Sequence, residues 1–132
     1  MEKQHWLGIA VGFIGGIWSA MVGCLGEALS VLIVIMAADY MTGLLSAFVN
    51  KELNSAIGTK GFIKKLVVLI LIGLIYLLEG VGLNTQHVGD GVAIAYIAIE
   101  FISITENAGR LGVPLGPVEK FIAILKDKGE NK

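Results

Sequence analysis

Apolar residues fill four long stretches of this chain, each broken by few charges. Leu7 to Gly26 carries none, and Ala28 to Val49 is interrupted only by Asp39. Phe62 to Leu83 is interrupted by Lys64, Lys65 and Glu79, and Gly91 to Thr105 only by Glu100. About 20 apolar residues rising 1.5 Å each match a hydrocarbon core about 30 Å thick. The pattern therefore predicts four membrane spans, at about 7–26, 28–49, 62–83 and 91–107. The fourth is the shortest. The turn from Gly23 to Glu27 is also tight enough for a re-entrant pair, which leaves three spans open as an alternative.

Between spans two and three, Asn50 to Gly61 reads as a polar loop, with Gly58 and Gly61 as breakers and Thr59 as a helix cap. Lys64 and Lys65 would then snorkel to the interface from the first turn of the next span. After span four, Gly109 suits a C-cap, while Gly112, Pro114, Gly116 and Pro117 forbid continuation. Pro117 fits a first helical position, and Val118, Phe121, Ile122 and Leu125 form one apolar face. A short amphipathic helix at about 117–128, lying on the membrane or against the loop, is expected. The fold class predicted is all-α, a small polytopic membrane protein forming a single integral membrane domain.

Polar positions inside the spans are few and ordered. On span two, Asp39, Thr42, Ser46 and Asn50 recur at helical spacing, and on span four Tyr96, Glu100, Ser103 and Asn107 do the same. Span three adds Tyr76 and Glu79. A charge deep in hydrocarbon costs a few kcal/mol or more, so such residues face a bundle interior or a water-filled cavity. Two uses remain open for this seam: neutral acids hydrogen-bonded across helices, worth about 0.6–2 kcal/mol each, or the lining of an aqueous path. No basic partner is expected beside these acids within the membrane. Span one offers a different surface. Gly8, Gly12, Gly16, Ser19, Gly23 and Gly26 leave one helix face nearly bare, which suits close helix association. The partner is either another copy or span three.

Charge settles the orientation these spans predict. Lys3 precedes span one; Lys51, Lys60, Lys64 and Lys65 lie between or near the junction of spans two and three; Arg110, Lys120, Lys126, Lys128 and Lys132 follow span four. All ten basic residues fall on one side if both termini are cytoplasmic. Lys51, Lys60, Lys64, Lys65 and Arg110 are candidates to meet anionic lipid head groups. The formal net charge is −1, and the wetted surface turns positive once the three intramembrane acids are neutral. Nothing suggests a nucleic-acid partner.

Cys24 is the single cysteine, so no intrachain disulfide and no multi-cysteine metal site can form. Met21, Val22 and Gly23 before it make a loose lipobox, but a small buried apolar residue is the expected role. His5 and His87 are isolated, and no nucleophile sits beside a base. No catalytic residue, metal site or cofactor is expected.

The run Asp39-Tyr40-Met41-Thr42-Gly43, the loop Lys51 to Gly61, the pair Lys64-Lys65 and the stretch Glu106 to Pro114 resemble the phage holin family that includes the toxin-secretion and phage-lysis holins of clostridia. The resemblance runs from span two to the final helix. It implies a phage or prophage protein of the bacterial cytoplasmic membrane that forms homo-oligomers and opens lesions. Endolysin or a large toxin would then be released cargo rather than a tight partner, and the family admits an antiholin. Two other readings stay open: a proton- or ion-translocating proteolipid using intramembrane carboxylates, and a passive membrane scaffold.

Overall fold

The computed structural model describes residues 1–83 and 87–130. Asn84 and Lys132, the latter among the basic residues above, lie outside the described residues. The described chain forms five helices: α1 (Glu2–Leu25), α2 (Glu27–Val49), α3 (Ser55–Gly80), α4 (Val88–Arg110) and α5 (Gly116–Glu130). The first four have 24, 23, 26 and 23 residues. At 1.5 Å per residue each exceeds about 30 Å, enough to cross a bilayer.

Only α2, α3 and α4 enclose a core. Leu29, Leu32, Met36, Ile72 and Ala93 are buried together, with Val68, Tyr76, Tyr96 and Ile97 packed around them. The α2/α4 contact is the most extensive. Fully buried Ser30, Ser46 and Ala93 show why: small residues let two backbones approach closely where apolar burial gives little drive. Asp39 of α2 meets Asn107 of α4, and Asn50 meets Arg110, so these helices run parallel. Lys65 meets Glu100 while Tyr76 meets Asp90, so α3 runs antiparallel to α4.

Three helix ends differ from the sequence expectation. Helix α3 begins at Ser55 because Asn54 caps it, its Oδ1 accepting from the N–H groups of Ala56 and Ile57 at 3.0 and 3.4 Å. Thr59 is therefore no cap, and its hydroxyl donates back to the Ser55 carbonyl. Gly58 and Gly61 lie inside the helix rather than breaking it. A Cβ on Gly58 would stand 3.7 Å from the Tyr40 hydroxyl, an ordinary packing distance between α3 and α2. At the end of α4, Gly112 takes the left-handed role expected of Gly109, with φ +82°. The Val113 N–H reaches the Ala108 carbonyl and the Gly112 N–H the Gly109 carbonyl, both at 3.0 Å, which is a Schellman closure. Helix α5 starts at Gly116, which places Pro117 second rather than first.

Helix α1 stands apart. Gly26 alone joins it to α2, at φ 82° and ψ 167°, a conformation essentially restricted to glycine. Among the described residues α1 meets only α2, and none of its residues is buried. Of the two partners left open for the glycine face, span three does not touch it. A Cβ on Gly8, Gly12, Gly16 or Gly23 would find no neighbouring atom within 4 Å. Cys24 is exposed for the same reason, contrary to the burial expected of it. Helix α5 turns back on α4, where Phe121 sets its ring edge-on to Phe101 at 5.5 Å.

Gly89, in the first turn of α4, is the tightest glycine among the described residues. A Cβ there would fall 2.8 and 2.9 Å from the Tyr76 ring and 3.1 Å from Glu79. Gly91, one half-turn on, has open space. Gly89→Ala should destabilise the bundle by about 1–3 kcal/mol through overpacking, whereas Gly91→Ala should be neutral or stabilising by up to about 1 kcal/mol. Unfolding of the two variants in detergent micelles tests this.

Candidate functional site

The polar residues of α2, α3 and α4 gather into two clusters at different depths. In the first, the Lys65 ammonium sits between two carboxylates. Its Nζ lies 2.8 Å from Asp39 Oδ2 and also donates to Glu100 Oε2. Asp39 and Glu100 are each 7% exposed as residues, and the Lys65 side chain 20%. Asn107 completes the group, its Nδ2 reaching Asp39 Oδ1 at 2.9 Å, Thr42 Oγ1 at 3.2 Å and the Asp39 carbonyl at 3.3 Å. Thr42 donates to that same carbonyl at 3.0 Å. Gly43 lies beside this group, where a Cβ would make ordinary contact with Asn107 Nδ2 at 3.5 Å.

Lys65 lies ten residues into α3, about 15 Å along its axis from Ser55. One expectation is overturned: Asp39 and Glu100 do have a basic partner, because Lys65 turns inward between α2 and α4. A helix beginning at Phe62 would put Lys65 in its first turn, whereas Asn54 begins α3 seven residues earlier. The capping asparagine was the available signal. Lys60 and Lys64 do stay on the exposed face, and Lys51 sits in the α2–α3 loop at φ 56°.

The rest of the α2 stripe continues toward the loop. Ser46 is fully buried, and Asn50 Nδ2 donates to the Ser46 carbonyl at 2.8 Å and reaches the Arg110 carbonyl at 3.5 Å. Arg110 is not simply a surface base, because its guanidinium pairs with Glu52. Ser103 lines the cleft above Lys65. Tyr96 packs against the apolar core instead of joining the polar group.

The second cluster lies at the opposite end of the bundle. Glu79 Oε1 accepts from the Gly89 N–H at 2.8 Å, where a carboxylate favours the positive end of the α4 dipole. Tyr76 donates to Asp90 Oδ1 at 2.5 Å, and Asp90 Oδ2 stands 3.8 Å from His87 Nδ1. Glu79 and Tyr76 therefore do not share a seam with Asp39 and Glu100. They join α3 to the start of α4, and Asp90 is the partner that the apolar pattern concealed. Among the described residues no buried side-chain nitrogen or oxygen lacks a partner, and no group of His, Cys, Asp and Glu is arranged to hold a metal.

Comparison with known proteins places this sequence in a family. The model of the bacteriophage holin family matches residues 16–127, which includes both polar clusters and all of α2, α3 and α4. The chain belongs to that family. It is 33% identical over 126 residues to an uncharacterized protein of Halalkalibacterium halodurans, covering 91% of this chain and 88% of that one. An uncharacterized 14.9 kDa protein in the nagH 3′ region of Clostridium perfringens is 33% identical over 120 residues, with coverage of 90% and 89%. An uncharacterized protein of Listeria monocytogenes is 33% identical over 117 residues, with coverage of 89% and 83%. No solved structure matches the chain. This member of the holin family is thus a holin-like membrane protein whose three-helix core holds a lysine between two carboxylates.

Breaking a buried ion pair by removing one partner leaves an uncompensated charge and costs about 3–5 kcal/mol. Lys65→Met should therefore destabilise the bundle strongly. Adding Asp39→Asn and Glu100→Gln to it should recover most of that loss, because no charge is then left unpaired. A mutant cycle on unfolding in micelles measures this coupling, and simple additivity would rule it out.

Proposed function

We propose that this protein opens lesions in the bacterial cytoplasmic membrane that release a cell-wall hydrolase or a large toxin, with both termini and the α2–α3 loop on the cytoplasmic side. One observation carries the reading beyond family membership: a full ionic cluster, Asp39–Lys65–Glu100, buried about 15 Å along membrane-length helices. A bundle held together for its own sake gains little from such a cluster, since a buried ion pair is roughly neutral in stability against apolar replacements. It does supply hydrophilic surface that is satisfied in either of two arrangements. Packed, the charges neutralise one another; separated, they face water in a lumen. Such a cluster can act as a bistable element, and any trigger must favour one arrangement over the other.

Helix α1 supports the assembly step. Its glycine face is uncovered among the described residues, and its single-residue link at Gly26 leaves it outside the core. Small-residue faces associate in lipid by close van der Waals packing. Copies of the chain are the partners this reading assigns to it. Basic residues at the loop end, Lys51 and Lys60, suit the anionic cytoplasmic leaflet and the positive-inside rule.

A second reading keeps one specific support. Lys65 beside two carboxylates supplies a basic partner that suits an ion-translocating proteolipid using intramembrane carboxylates. The two separate in one experiment. Induced alone in a bacterium, the chain should abruptly dissipate the membrane potential and release a cytoplasmic reporter of enzyme size together. Loss of potential with the reporter retained would favour ion translocation, and retention of both would refute the lesion reading. Asp39→Asn and Glu100→Gln should shift the onset at matched membrane levels. Replacing Gly12 and Gly16 by Leu should shorten the cross-linked ladder of oligomers, and a full ladder would move the contact off α1.

A further inference from the structure

A cleft of about 540 Å³ opens at the loop end of the bundle, between α2, α3 and α4. Asp39, Lys65 and Asn107 lie at its inner end, where the buried cluster begins. Glu52 and Arg110 lie at its outer end, one in the α2–α3 loop and the other the last residue of α4. Glycines widen it: a Cβ on Gly61, which lines the cleft, would meet nothing within 4 Å.

We propose that this cleft is a water-filled vestibule through which the loop-side solution reaches the Asp39–Lys65 pair, and that the Glu52–Arg110 ion pair narrows its mouth. The volume far exceeds the roughly 10–15 Å³ that one water requires, and a water there has polar partners at both ends. The Lys65 side chain keeps 20% exposure and Asp39 10%, and both residues line this cleft. Charged groups with residual exposure inside a membrane-length bundle are most cheaply satisfied by water. The Glu52–Arg110 pair bridges the two chain segments that flank the opening, and both side chains are at least half exposed. An exposed pair of this kind is weak, so it biases the mouth without sealing it. The vestibule belongs to the resting chain, and its existence does not depend on what the protein releases.

Thiol accessibility in the full-length protein tests the proposal. Cys24 is the sole cysteine and is replaced by alanine first. Ser103→Cys and Ala47→Cys then place single thiols in the cleft lining. Leu45→Cys and Ile99→Cys place thiols on outward faces of α2 and α4, at positions 54% and 56% exposed in the free chain and outside the cleft. A lipid-facing thiol stays protonated and unreactive, because the thiolate is the nucleophile and apolar surroundings disfavour it. A charged, membrane-impermeant maleimide is applied to either face of sealed vesicles, with Ser55→Cys marking the loop face.

The cleft thiols should label from the same face as Ser55→Cys, at least tenfold faster than both outward-facing thiols. Glu52→Ala should raise their rate a further two- to fivefold, the range over which an exposed ion pair can bias an opening. Labelling of both cleft positions as slow as the outward-facing ones, or from the opposite face, would overturn the vestibule. Unchanged rates in Glu52→Ala would overturn the role of the ion pair. Two lining positions keep the outcome readable if one substitution disturbs folding.

Discussion

A charge inside a membrane-length bundle must find its counter-charge there, and Lys65 is where that requirement governs the structure. Its ammonium touches α2 through Asp39 and α4 through Glu100, so one side chain sets the register of α3 against both neighbours. Sliding α3 by one residue would rotate the lysine about 100° around its helix and strand two carboxylates at the core. Few apolar residues could impose that constraint here, because only Leu29, Leu32, Met36, Ile72 and Ala93 form the buried cluster. Asn107 binds α4 to α2 at the same level through Asp39 and Thr42. The three helices thus meet at one polar node, with fully buried Ser46 on the same stripe of α2.

The far end of the bundle is held differently. Glu79 takes a backbone N–H at the start of α4, and Tyr76 takes a carboxylate of α4, so the α3–α4 junction rests on a helix end rather than on an ion pair. Glu79 contributes where the helix dipole already favours a negative charge. It can keep that contact without any cation beside it. Asp39 and Glu100 have no such backbone donors, and Lys65 is the one cation beside them among the described residues. A change that spreads the helices at the lysine level would therefore leave the opposite junction in place, which makes the loop-side half of the bundle the half built to separate on the proposed function.

Helix number and the two stripes on α2 and α4 were legible because they follow from length and from a 3.6-residue period alone. The meeting of Asp39 with Asn107 follows once those stripes face each other. What the pattern could not show depended on helix ends. Taking Gly58 and Gly61 as breakers starts α3 too late and hides the inward turn of Lys65, because Asn54 caps the helix. Gly109 and Gly112 raised the same ambiguity at the end of α4, which the left-handed φ of Gly112 resolves. Glycine in a membrane helix signals either a break or a close crossing, and only the neighbouring cap and the facing helix distinguish the two.

Helix α1 carries the opposite property from the polar node. It is apolar, long enough to span, and joined through a residue whose conformation admits little but glycine, yet none of its residues is buried among the described residues. Lipid can solvate its leucines, isoleucines and Phe13, so exposure alone costs nothing in a bilayer. Its glycines are another matter, since a helix surface with five of them offers lipid tails an uneven groove where a second helix packs better. If copies associate through α1, they do so without disturbing α2, α3 or α4, because Gly26 separates the two regions. Assembly and opening would then be independent steps on one short chain. Oligomers could accumulate through α1 while every Lys65 remains paired, and the membrane would stay intact until the polar nodes give way.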